Sequence, residues 1–373
     1  MATTSLLGCS LADLESLMQA MGQPKFRARQ LYGWIYQKGV KQFDDMHNIA
    51  KDLRQALMCT HHLHRPNVTA DQLSTDGTRK FLLTFQDGKA AEMVFIPESD
   101  RGTLCISSQV GCTLTCKFCH TGTQLFVRNL EVGEIIGQLM LARDLLDDWQ
   151  TPTDKRRAIT NIVFMGMGEP LFNTNHVIAA VKLLTDGNGI GLTRRRVTVS
   201  TSGVVPDIVK LGEESGAALA VSLHAAHDEL RSRLVPINRR YPLHDLMAAL
   251  KAYPGLSNAR RITFEYIMLD GVNDKDGDAK ALARLITGIP AKINLIPFNP
   301  WPGSDFMPSP DARMEKFSHI LSKAGFTVTI RKTRGQDILA ACGQLKTQSM
   351  RLSRHEQRAI DTLRDNKEAA LGL

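Results

Sequence analysis

The sequence predicts an α/β fold: a small helical and hairpin module followed by a long run of strands alternating with helices. Two observations carry that expectation. From about residue 103 the short apolar runs "LCISSQV", "NIVFMG", "RVTVST", "ALAVSLH", "RITFEYIML", "AKINLIP" and "FTVTI" alternate with helical stretches, the pattern of a parallel sheet with crossover helices. This fits a complete or partial β/α barrel, with a doubly wound sheet as the competitor. The unusual segments then weigh for the barrel. "GCTLTC", "GMGEP", "TSG", "HAA" and "NPWPG" all follow apolar runs, at the strand C-terminal ends where barrel sites are built.

In chain order, "SLADLESLMQAMG" opens the module as a helix. Ser10 and Asp13 suit a capping box, Leu11, Leu14, Leu17, Met18 and Met21 form one apolar face, and Gly22 stops it. Pro24 starts a second helix that turns Phe26, Leu31, Trp34 and Ile35 to a core and ends at Gly39, and a third runs through "NIAKDLRQALM". The basic side chains Lys25, Arg27, Arg29 and Lys38 need no more than a solvated helix face. Next, "RKFLLTF" and "AAEMVFI" read as strands joined through "QDGK", whose Asp87-Gly88 pair signals a two-residue hairpin. The expected division is residues 1–98 for this accessory module, 99–345 for the barrel and 346–373 for a charged tail.

Composition narrows the function classes. With 373 residues, 43% of them apolar, the chain can bury a full core. No apolar run approaches the roughly 20 residues that cross a bilayer. The seven cysteines are odd in number and dilute, and no charged-then-apolar segment opens the chain, so reduced thiols in the cytoplasm are expected. A net charge of +8 admits a polyanionic partner such as RNA without identifying one.

In "GCTLTCKFCHTGTQ", Cys112, Cys116 and Cys119 stand within eight positions, with His120 directly after them. Residue types alone leave three readings. Zinc would take the three thiolates and His120, though adjacent Cys119 and His120 strain one closed tetrahedron. Unconnected reduced thiols are the plainest reading. A [4Fe–4S] cluster held by only three cysteines would leave one iron open to a non-protein ligand. The other candidates look ordinary when read alone: Cys105 lies in an apolar run, Cys342 follows two alanines, and Glu92 is a carboxylate on a hairpin strand.

The CxxxCxxC spacing resembles the signature of the radical S-adenosylmethionine (SAM) superfamily. "RNLEVGEI", "FMGMGEPLFN", "RRRVTVSTSGVVP", "VSLHA", "INLIPFNP" and "RKTRGQDILAACGQL" extend that resemblance to the RlmN/Cfr family over about residues 10 to 345. The resemblance implies a partial (β/α)6-type radical SAM barrel with a small N-terminal α+β accessory domain. It also implies one [4Fe–4S] cluster on Cys112, Cys116 and Cys119, and two molecules of SAM per turnover.

The same resemblance implies methylation of an adenine in RNA, at C2 of adenosine 2503 in 23S rRNA and of adenosine 37 in tRNAs. C8 methylation is the nearest alternative, and a non-catalytic zinc-containing RNA-binding protein a remoter one. Cys342 would accept the methyl group as a thiolate, Cys105 would resolve the resulting protein–RNA adduct, and Glu92 would act as proton acceptor. SAM contacts carry over to Gly168, Glu169, Ser200, Ser222, Leu223, His224 and Asn299. The arginine-rich stretches Arg194 to Arg196, Arg239 to Arg240 and Arg331 to Arg334 offer phosphate contacts. The expected partners are 23S rRNA, tRNA and a flavodoxin-type electron donor, with the chain a cytoplasmic monomer away from membranes.

Overall fold

The computed structural model describes residues 3–149 and 157–347. The N-terminal module packs three helices, α1 Leu11–Ala20, α2 Phe26–Tyr36 and α3 Lys51–Thr60, and closes with a parallel pair, Thr4–Ser5 against His61–His62. Ser10 and Asp13 form the expected capping box, with the Ser10 amide donating to Asp13 Oδ2 at 2.7 Å. On α2 the buried stripe is Ala28, Leu31, Tyr32, Ile35 and Tyr36. Phe26 departs from its expected core role and is 54% exposed. At about 100° per residue it stands some 200° from Ala28 and off that stripe. The Arg27 guanidinium covers its ring instead, 4.8 Å from the centroid.

The main sheet has ten strands: β1 Asn67–Leu73, β2 Arg79–Thr84, β3 Ala90–Pro97, β4 Gly102–Cys105, β5 Asn161–Phe164, β6 Val197–Thr201, β7 Ala218–Ser222, β8 Ile262–Met268, β9 Ala291–Pro297 and β10 Thr327–Ile330. Their spatial order follows the chain from β1 to β10 without reversal. A doubly wound sheet needs a switch point where that order reverses. β1 to β4 form an antiparallel meander, whereas β4 to β10 are all parallel.

Helices α4 Val132–Leu146, α5 Thr174–Thr185, α6 Val205–Ser215, the pair α7 Asp228–Leu234 and α8 Leu243–Lys251, α9 Asp276–Leu285 and α10 Asp311–Lys323 fill the six crossovers. These are the six β/α units of the expected partial barrel. It stays open because β4 gives its other edge to β3, with Cys105 opposite Val94, rather than to β10.

Two hairpin details differ from expectation. Phe85 donates to the Lys89 carbonyl at 2.8 Å, so Gln86, Asp87 and Gly88 form a three-residue loop with Gly88 at φ 76°. The Asp-Gly pair serves a turn with a left-handed third residue rather than a two-residue turn. β1 itself carries no sequence signal, because all seven of its side chains are exposed and neither face is apolar. β8, by contrast, is buried at every position. Tyr266 meets Phe317 of α10, so the even positions face the helices and Thr263, Glu265 and Ile267 face the barrel interior.

After β10 the chain runs as an irregular strap, residues 335–347, back across the mouth. Asp337 accepts from the Ser74 hydroxyl at 2.6 Å and the Thr75 amide at 3.1 Å. Asp76 accepts from the Gly335 amide, and Lys80 donates to the Leu339 carbonyl. All but the first two residues of the expected charged tail, 346–373, lie outside the described residues.

Candidate active site

The cysteine loop is held at its base by a short antiparallel pair, Gln109–Val110 against Arg128–Asn129. Cys112, Cys116 and Cys119 all line one wall of a cavity at the C-terminal ends of the barrel strands. This cavity encloses about 960 Å³ of atom-free space, its mouth included. Burial pushes the Cys116 and Cys119 thiols up, and the charges of Cys119 and Cys112 push Cys116 further. Three half-buried thiols that repel one another as thiolates fit a cationic iron centre, which would neutralise the charge they share. Among the described residues no three His, Cys, Asp or Glu side chains gather at the spacing of a single ion.

His120 has another task. Its ring stacks on Trp301 at 4.7 Å, its amide donates to the Gly343 carbonyl at 2.7 Å, and Nδ1 lies 3.3 Å from the Gln344 carbonyl. It ties the cysteine loop to the strap. Thr121 and Gln124 add bonds to the Leu345 carbonyl and the Thr347 hydroxyl.

Gly168 and Glu169 line the same cavity beside the cysteine loop. Gly168 has φ 98°, and a Cβ there would stand 2.5 Å from Gln109 Cβ, so only glycine lets the two loops approach. Gln109 Oε1 accepts from the Glu169 amide at 3.0 Å and from Thr113. It locks the glycine-rich loop to the cysteine loop, a role that nothing in "SSQVGC" announces. The Glu169 carboxylate is buried and accepts from the Leu171 and Ser202 amides at 3.0 and 2.8 Å. Burial raises its pKa while those amides lower it. A buried acid here suits an ammonium group.

Ser200, Ser222 and His224 line the cavity from β6, β7 and the turn after β7. His224 holds φ 61°, packs edge-on against Phe118 and accepts from the Ile267 amide at 3.0 Å through Nδ1. Burial, helped by the Arg231 charge, lowers its pKa to about 3. Leu223 and Asn299 do not line the cavity. The Leu223 side chain sits in the main core, and Asn299 Nδ2 is 3.4 Å from the Cys342 carbonyl, so that Asn299 steadies the strap.

Arg231, fully buried on α7, donates to the Leu223, Ser202 and Ser222 carbonyls and to Asn238 Oδ1. One guanidinium thereby fixes two strand ends of the cavity. In sequence it resembles any charged residue on an exposed helix face.

Cys342 reaches the cavity from the strap and is exposed there, in contrast to the buried thiol that its alanine neighbours suggest. Cys105 is half-buried on the adjoining β4. Burial pushes its thiol up to about 12, and the nearby Cys342 charge adds to the shift. Arg331 lines the same cavity and its pKa is raised chiefly by the Cys342 charge, with Glu265 and Cys105 contributing.

Glu92 lies outside the cavity lining and is only 4% exposed, not the solvent-facing strand carboxylate that its sequence suggests. Its Oε2 accepts from the Lys346 amide at 2.8 Å, and Lys80 is 3.6 Å from Oε1. Burial raises its pKa and Lys80 lowers it. The arginine stretches divide between the two barrel ends. Arg239, Arg240 and Arg331 follow strand C-termini, whereas Arg194 to Arg196 precede β6 at the far end, where Arg196 donates to Asn161 at the start of β5.

A model of the ribosomal RNA large subunit methyltransferase N-terminal domain matches residues 4–62, and one of the radical SAM superfamily matches residues 106–283. The chain is 55% identical over 371 residues to a dual-specificity RNA methyltransferase RlmN of Rhodospirillum rubrum, covering 99% of this chain and 87% of that protein. It is equally identical to the protein of that name from Rhodopseudomonas palustris, with 96% and 93% covered. A crystal structure of a radical SAM methyltransferase from Sphaerobacter thermophilus superposes with a TM-score of 0.85 at 42% identity, covering 92% of this chain and 99% of that one.

Proposed function

The chain belongs to the RlmN family of radical SAM RNA methyltransferases, and from that premise we propose that it methylates C2 of adenosine in 23S rRNA and in tRNA through a methyl group carried on Cys342. The observation that carries this reading is the meeting in one cavity of three cluster-type thiols with a fourth, Cys342, while Cys105 stands near Cys342 but outside the cavity lining. The proposed cluster ligands are Cys112, Cys116 and Cys119. The bound cluster would leave one iron for SAM and supply the electron that cleaves it.

Each side chain then has a task that its surroundings support. C2 of adenine lies between two ring nitrogens and is electron-poor, so direct attack on the SAM sulfonium is disfavoured. Ionised Cys342, next to Arg331, displaces the methyl group from one SAM and holds it as a thioether. A second SAM, cleaved to its 5′-deoxyadenosyl radical, would take one hydrogen atom from that methyl group, whose carbon would then bond to C2. The adduct would give one electron back to the cluster and its C2 proton to Cys105; as the Cys105 sulfur bonds to the Cys342 sulfur, that proton passes to the departing carbon, which becomes the methyl group, and the electron donor reduces the disulfide. Glu169 and His224 orient SAM, and Glu92 holds the strap from behind.

Nucleoside mass spectrometry of RNA treated with the anaerobically loaded protein tests the assignment, with 2-methyl and 8-methyl adenosine standards. The expected product is 2-methyladenosine; an exclusively 8-methyl product would overturn the assignment. Cys342→Ala should keep its iron and lose methyl transfer. Cys105→Ala should accumulate a covalent protein–RNA adduct, and free turnover by that variant would assign the resolving step elsewhere.

A further inference from the structure

Glu265 has no part in the reading above, yet it lines the same cavity. It is 4% exposed in the middle of β8. Its Oε1 accepts from Asn294 Nδ2 at 2.8 Å, while Oε2 is buried and has no hydrogen-bond partner among the described residues. Burial raises its pKa, against which the Arg331 charge, the Asn294 hydrogen bond and the Lys292 charge favour the ionised form; neither cation donates to Oε2. A buried carboxylate oxygen left without a donor costs stability, which a ligand that donates to it would recover.

Its neighbours in register are Ser222 on β7 and Asn294 on β9. The three make a polar row across three strands in a barrel interior that aliphatic side chains ordinarily fill. Such a row is built for a ligand that presents a donor.

We propose that Glu265 Oε2 is the acceptor for an N–H or O–H of an adenosine moiety seated in this cavity. The inference rests on the proposed function, in which both reactants, SAM and the target RNA nucleotide, are adenosines with an amino group and ribose hydroxyls as donors. Glu265 is thus a binding and specificity residue rather than a second proton acceptor.

Glu265→Gln separates this from a structural role. Asn294 already donates to one oxygen, so the glutamine carbonyl must face Asn294 and its NH2 replaces the acceptor with a donor. Equilibrium binding of SAM to the cluster-loaded protein and the KM for an adenosine-bearing RNA hairpin are measured in parallel, with iron content and Tm as folding controls. We expect one of the two affinities to fall by about tenfold or more, the scale of a hydrogen bond to a charged group. A fall confined to SAM assigns the site to SAM, and a rise confined to the RNA KM assigns it to the target base. Changes below about threefold in both would overturn the proposal.

If Glu265→Gln does not fold, Glu265→Asp, which withdraws the carboxylate by one methylene, is read by the same two measurements. Failure of the unaltered protein to bind SAM or methylate RNA would instead refute the functional reading.

Discussion

The imidazole of His224 is held neutral by its surroundings. Nδ1 accepts from the Ile267 amide, so the ring proton sits on Nε2, and burial with the Arg231 charge holds the pKa near 3. The unfolded chain takes up that proton near pH 6.5. Between about pH 6.5 and 3 the unfolded state therefore binds a proton that the folded state refuses, and stability falls with acid by up to about 1.4 kcal/mol per pH unit from this group. His224→Asn, which tolerates the φ of 61°, should show a shallower acid limb of Tm against pH; parallel limbs would contradict the coupling. Single residues differed widely in how openly the sequence showed them. Cys112, Cys116 and Cys119 were legible because ligand spacing is itself a pattern. Arg231 and Glu265 were not, since "DELRSRL" reads as a solvated helix and "ITFEYIM" as an apolar strand. Only their complete burial, a tertiary fact, reveals them.

At the scale of elements, the strap of residues 335–347 brings Cys342 to the cavity with no regular structure beyond one 3-10 turn at Gln336–Ile338. Its position comes from side chains of other elements: Asp76, Lys80, Glu92, His120, Thr121, Gln124 and Asn299 all bond to its backbone, and its own Asp337 bonds back to Ser74 and Thr75. The α/β units could be read from periods of 3.6 and 2, and the order of the six crossovers followed from them. Neither the strap nor exposed β1 has a period, so neither could be read that way. Asp337→Ala removes one anchor outside the cavity. Methyl transfer should fall several-fold, with faster amide exchange over residues 339–345 and unchanged iron content. Unchanged exchange in that segment would show that the other anchors suffice.

For the whole molecule, the net charge of +8 says nothing about which face meets RNA, but the fold divides it. Arg194 and Arg195 are exposed beside the N-terminal ends of the parallel strands, whereas exposed Arg239 and Arg240 come after α7, in the segment whose Val235 and Ile237 share an apolar cluster with Leu114 and Phe118 of the cysteine loop at the cavity end. A five-residue strand separates these ends by roughly 17 Å, so one duplex backbone seated over the cavity mouth passes the second pair and not the first. Arg239→Ala with Arg240→Ala should weaken RNA binding and reduce the slope of log K against log salt by about 0.7–0.9 for each phosphate that is no longer neutralised. Arg194→Glu with Arg195→Glu should leave both nearly unchanged, although it removes more positive charge. Comparing the two pairs across a salt titration separates a local interaction from the general attraction of a basic protein. If the far-end pair weakens binding as much as the near pair, the RNA must wrap both ends of the barrel, and a target base reaching the Cys342 cavity would be only one part of a much larger footprint.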